Sequence, residues 1–142
     1  MEAAGIDEER VNFDLTDEER FVLRWGIHEW SGPARCTEEL ACAMGFESVQ
    51  DLLANSNRLR AAVHSGEPLS RTDWCRLVLA TEIVFASGVV GSGGDWRYTV
   101  GIDDTTTIRI LRSLQRKVVR ELRPHLGIGF GTRPAGGSPV WW

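Results

Sequence analysis

Lysine is almost missing from this chain. Of sixteen basic residues only Lys117 is a lysine and the rest are arginine, a skew that points to a GC-rich, bacterial genome and not to a function. Cysteine is scarce as well. Cys36, Cys42 and Cys75 are odd in number and contain no C-x-x-C pair, which excludes a disulfide framework and a four-ligand zinc site and leaves reduced, partly buried thiols. His28, His64 and His125 lie on separate segments without the H-x-x-x-H or H-E-x-x-H spacing that sets two ligands on one helical face, so no metal and no other cofactor is expected, and His125, just past the last helix, reads as a cap on its C-terminal dipole. The glycines of 91–94 are followed by no lysine, and neither the phosphate-loop nor the dinucleotide pattern is met. Long apolar runs are absent too. The longest nearly uncharged stretch, 77–94, is interrupted by Glu82 and rich in glycine in its second half, which excludes a membrane span. Residues 1–10 are acidic and lack the basic start and apolar run of a secretory signal, so a soluble, cytoplasmic protein is expected.

What remains is an ordinary globular composition. A chain of 142 residues with 42% hydrophobic and 25% charged residues suits one domain around one core. The net charge of −4 is unevenly spread: the first nineteen residues hold eight acids against Arg10, whereas 107–133 carries a balance of plus six. Residues 1–14 therefore read as an acidic, solvated arm, 15–123 as a helical domain, and 124–142, rich in glycine and proline, as a flexible tail ending in Trp141-Trp142.

Cap signals divide the domain into about five helices. Thr16 with Glu19 has the form of a capping box, ahead of Leu23, Ile27 and Trp30 on one face, with Phe21 and Trp25 widening it. Thr37 before Glu38 and Glu39 starts a two-turn helix that Gly45 stops. Ser48 with Asp51 opens a longer helix to Gly66, and Ser70 with Asp73 opens one that is apolar nearly all round and therefore buried. The segment 88–98 reads as a loop with a short extended piece over 97–100. A last helix capped by Asp103 or Asp104 presents Ile108, Leu111, Leu114 or Gln115, Val118 and Leu122 and ends at Pro124. The fold class is all-α, a compact orthogonal bundle with an acidic N-terminal arm and a Gly/Pro-rich tail.

Four features bear on function. Glu82 stands among Leu79, Ile83, Val84 and Phe85, where a carboxylate must find a partner or raise its pKa; a structural role is expected, with Arg76, Arg109, Trp74 or Trp96 as the partner. Arg109, Arg112, Arg116, Arg120 and Arg123 recur every three or four residues and form one stripe along the last helix, facing solvent or the acidic arm. Residues 37–53 resemble a helix-turn-helix in Leu40, Ala41, Met44, Gly45 and Phe46. They depart from it at Asp51, where an apolar residue is usual, and in offering Ser48, Gln50 and Asp51 rather than basic groups at the start of the reading helix, so a plain corner between packed helices is the preferred reading. Trp141 and Trp142, on a tail with nothing else to bury, suit docking into a groove of the domain or into a partner.

These features lead to a non-enzymatic, bacterial protein-interaction domain, such as an immunity protein, an inhibitor or a regulatory adaptor, with another protein as partner, no membrane, and partner contacts at the arginine stripe and Trp141-Trp142. A helix-turn-helix DNA-binding regulator is one alternative, with nucleic acid as partner. A precursor peptide with a folded leader and a modified Trp-Trp core, processed near Gly136-Gly137, is another. No residue pattern indicates an oligomeric state.

Overall fold

A computed structural model of the chain describes residues 8–128. Among these residues six α-helices form a compact all-α bundle: α1 (Asp17–His28), α2 (Glu38–Ala43), α3 (Val49–Ser65), α4 (Arg71–Ala86), α5 (Trp96–Thr99) and α6 (Asp104–His125). One two-residue antiparallel pairing joins β1 (Arg10–Val11) to β2 (Leu69–Ser70). No helix among the described residues is long and apolar enough to cross a membrane.

The five longer helices begin where a side chain satisfies free N–H groups of the first turn. Thr16 Oγ1 accepts from the Glu19 amide at 3.1 Å and Glu19 Oε1 accepts from the Thr16 amide at 2.8 Å, completing the capping box. Thr37, Ser48, Ser70 and Asp103 cap α2, α3, α4 and α6 in the same way. Gly66, at φ +71°, ends α3 in the left-handed conformation that a residue with a side chain rarely adopts.

α1 is the central helix and packs against α3, α4 and α6, while α4 also packs against α6. Its buried side is Val22, Leu23, Gly26 and Ile27. Trp30, in the 3-10 turn that follows, donates its indole N–H to the Ala80 carbonyl of α4 at 3.1 Å. Beyond α4 the chain folds back onto the helix end. The Ser92 amide donates to the Val84 carbonyl at 2.7 Å, and a Cβ on Gly91 would lie 2.4 Å from that oxygen, so only glycine permits the approach. Trp96 then returns to the core fully buried, edge-on to Phe85 and donating to Thr107 Oγ1 at 2.9 Å.

Four expectations are corrected. Residues 97–100, read as extended, belong to the short helix α5 and its cap, because the buried Trp96 anchors a turn there. α6 passes through Pro124 to His125: a proline in the last turn forfeits one backbone bond, which the helix end tolerates. His125 does not simply cap α6 but stands 3.0 Å from Thr72 Oγ1 and 3.4 Å from Glu8. The arm is not solvated from residue 8 onward. Val11 pairs with Leu69, its carbonyl accepts from the Trp74 indole at 2.9 Å, and Phe13 packs edge-on against Trp74. The acids of 1–14 masked this, since charge dominates the composition while two apolar side chains are enough to dock the strand.

Candidate functional site

The faces of α6 determine what it can bind. Thr107, Ile110, Leu111, Leu114, Val118 and Leu122 are buried. At about 100° per residue, the five arginines occupy an arc of about 80° on the opposite side of the helix. Between these two faces runs a third stripe of Ile108, Gln115, Val119 and Leu126, which faces α4 and is only partly covered. A groove results. Its larger part, about 280 Å³, lies between Cys75, Val78, Leu79 and Glu82 of α4 and Gln115, Val119 and Leu122 of α6, and reaches Leu126. A second part of about 170 Å³ continues past Phe85 to Ile108 and shares Glu82, Arg112 and Gln115 with the first. Ile108 and Leu126, at the two ends, are half exposed.

Glu82 stands at the middle of this groove. Gln115 Nε2 donates to its Oε2 at 2.6 Å, and Gln115 Oε1 in turn accepts from Arg112 at 2.7 Å, so the glutamine relays the arginine to the carboxylate. None of the partners expected from sequence is used. Trp74 donates to Val11, Trp96 to Thr107, and Arg76 to Asp73 and Gly45. Gln115 was visible only as a polar residue at an apolar position, four residues after Leu111. Burial pushes the Glu82 carboxyl up, and the Gln115 bond and the Arg112 charge only partly offset it. A raised folded-state pKa means that ionising Glu82 costs stability above that pKa. Glu82→Gln is therefore expected to raise the thermal midpoint by a few degrees at pH 7, with the gain vanishing below about pH 4, where the carboxyl is protonated in both states. Melting curves of the two proteins between pH 3 and 8 check this, and a variant less stable at pH 7 would contradict it.

The arginine stripe is divided by its neighbours. Arg112 and Arg123 rim the groove, whereas Arg109 and Arg116 face Thr16, Glu18, Glu19 and Ser113 around a polar recess of about 250 Å³ at the start of α1. Arg120 is exposed between them. The described part of the acidic arm meets other groups, Glu9 standing 3.6 Å from Arg71. Its Glu8 meets Thr72 and His125, and Lys117 donates to the Asp14 carbonyl at 2.8 Å. Trp141 and Trp142, and Gly136-Gly137 with them, lie outside the described residues.

Among the described residues three carboxylates are more buried than Glu82, and all three hold the fold together. Glu19 is 1% exposed and bonded to Lys117 at 2.6 Å. Glu29 accepts from Ser92 and Thr99 and ties down the loop after α4. Asp73 receives a two-pronged contact from Arg58 at 2.8 and 3.1 Å and one from Arg76 at 3.0 Å. Burial would raise the Asp73 pKa, but these arginines outweigh it and hold the carboxyl below its ordinary range. Burial, reinforced by the charge of Arg60, lowers the pKa of His28. Among the described residues no group of three His, Cys, Asp or Glu side chains is placed to hold a metal ion.

The corner between α2 and α3 is fastened by acids. Glu38 Oε2 accepts from the Val49 amide at 3.0 Å, and Asp51 accepts from the Glu47 amide at 3.0 Å and from Asn55 at 2.8 Å. No family model matches this chain, and neither the curated proteins nor the solved structures contain a match to it.

Proposed function

We propose that this chain is a bacterial, cytoplasmic protein-interaction domain, an immunity protein, inhibitor or regulatory adaptor, that receives an apolar segment of another protein in the groove between α4 and α6. The supporting observation is the groove itself: a mostly apolar channel with one carboxylate, Glu82, at its centre and partly exposed Ile108 and Leu126 at its ends. Apolar walls with a few fixed polar groups are the usual composition of a recognition site, and arginines on the rim suit an aromatic anchor.

Chemistry in the groove is disfavoured. Cys75 lies two helical turns from Glu82, but burial and the charge of Glu8 raise its pKa and keep it a thiol. The Glu82 oxygen that accepts from Gln115 has no second carboxylate or histidine among its described neighbours in the groove. The acids that close the corner of α2 and α3 oppose a DNA backbone, and the precursor reading concerns residues beyond those described.

Peptide display on the full-length protein, and on the same chain carrying Trp141→Ala and Trp142→Ala, tests the reading. Enriched peptides are expected to carry large apolar residues and to lose at least about tenfold in affinity, or 1.4 kcal/mol, when Val119→Arg places a charge in the groove. Val119 is only half-buried and lies off the buried stripe of α6, so the fold should survive this change. No enrichment on either bait, or equal binding to the Val119→Arg protein, would overturn the reading.

A further inference from the structure

The groove has a candidate occupant within the same chain. Gly127, at φ +74°, donates its N–H to the Pro124 carbonyl at 3.0 Å, and Ile128 donates to the Arg123 carbonyl at 3.0 Å. This pair of bonds is a Schellman turn, which folds the chain back over the last turn of α6. The described chain therefore stops beside Leu126, which lines one end of the groove. From Leu126 to Gln115 the distance along α6 is about 17 Å. The twelve residues 129–140 span up to about 40 Å when extended, so Trp141 and Trp142 can reach the centre of the groove with slack to spare.

The chemistry agrees with the reach. Residues 129–139 contain four glycines and two prolines and no amphipathic repeat, so Val140-Trp141-Trp142 has no core of its own to join. An indole is apolar over most of its surface and carries one N–H donor, the complement of apolar walls around one carboxyl acceptor. The larger part of the groove is about 280 Å³, and a cavity of about 150 Å³ already takes a benzene ring.

We infer that residues 129–142 fold back along α6 and seat an indole of Trp141 or Trp142 in the α4–α6 groove beside Glu82. The inference rests on the reading of this groove as a docking site. It makes the chain its own competitor, since an outside segment must displace the indole to bind.

The test is NMR on the full-length, isotope-labelled protein. Indole protons of Trp141 or Trp142 are expected to show NOEs to the methyls of Val119 or Leu122 at every protein concentration, and none in a mixture of labelled and unlabelled chains filtered for intermolecular contacts. Trp141→Ala/Trp142→Ala should shift resonances around Leu79, Glu82 and Val119 and leave α1 and α3 unmoved. Peptides selected as above should bind this double variant about fivefold more tightly than the parent, as when the tail leaves the groove open in one molecule in five. Absence of the NOEs, with equal peptide affinity for the two chains, would overturn the inference and leave the protein-interaction reading intact. Intermolecular NOEs would overturn it in favour of a second copy as occupant. Intramolecular NOEs without any peptide binding would uphold the seated tail and remove the outside partner.

Discussion

Gly26→Val is expected to destabilise the fold by on the order of 3 kcal/mol, although removing a glycine from a helix interior is ordinarily favourable. Gly26 lies where α1 crosses α4. A Cβ there would meet Thr81 Oγ1 at 2.4 Å, Cγ2 at 2.6 Å and Cβ at 2.7 Å. Thr81 cannot swing aside: it is fully buried, and its hydroxyl donates to the Leu77 carbonyl at 2.8 Å. The two helices would have to separate, and the central helix would drag its contacts with α3 and α6 along. Urea unfolding of Gly26→Val, Thr81→Gly and the double variant isolates this term. Valine adds about the volume that Thr81→Gly removes, so the double variant should be more stable than the sum of the two single effects predicts, by about 2 kcal/mol. Simple additivity would show that the close crossing is not what requires glycine.

Lys117→Met should cost about 2–3 kcal/mol at pH 7, below the upper range for a broken buried pair because the lysine side chain is a third exposed. The loss falls on Glu19. Burial alone would push its carboxyl up, but the Lys117 hydrogen bond leads the opposing effects, followed by the Thr16 amide, Ser113 and the lysine charge, and the carboxyl is held below its ordinary value. A depressed folded-state pKa contributes stability that is fully present above the unfolded value and lost as pH falls through the folded one. The gap between the parent and Lys117→Met should therefore be widest near neutrality and narrow in acid. Adding Glu19→Gln to Lys117→Met should recover about half of the loss, because an amide still accepts the Thr16 N–H and needs no cation. Equal stability of the parent and Lys117→Met at pH 7 would mean that the pair is held by nothing but its surroundings.

Most helix starts were legible from residue types alone. Thr16, Ser48 and Ser70 precede their helices with an acid three residues on, Thr37 precedes its own with two acids directly after it, and the structure uses each as a cap. The errors share one cause. The strand at 10–11, the helix at 96–99 and the passage of α6 through Pro124 are short or marginal features, stabilised by contacts with Trp74, Trp96 and the N-terminal arm and not by local preference.

The groove was only half visible. In the sequence its residues stand apart: Glu82 as a misplaced charge, Gln115 as an ambiguous position, Arg112 as one member of a stripe. Which of them meet depends on how α4 lies against α6, and that is governed by side chains elsewhere in the bundle. Lys117 is the clearest case. It stood out as the chain's sole lysine, yet nothing in its neighbourhood named Glu19, 98 residues away, as its partner.

The order of amino acids was enough to establish that the chain is helical, where most helices start, and which face of each is apolar, because caps and apolar spacing act over three or four neighbouring residues. It could not establish that α1 would become the central helix, that Glu19 would outrank Glu82 in burial, or that an open channel would remain between α4 and α6. Those follow from three-dimensional packing, in which residues far apart in the chain compete for the same space, and a carboxylate's fate depends on which donors the packing brings within about 3 Å of it.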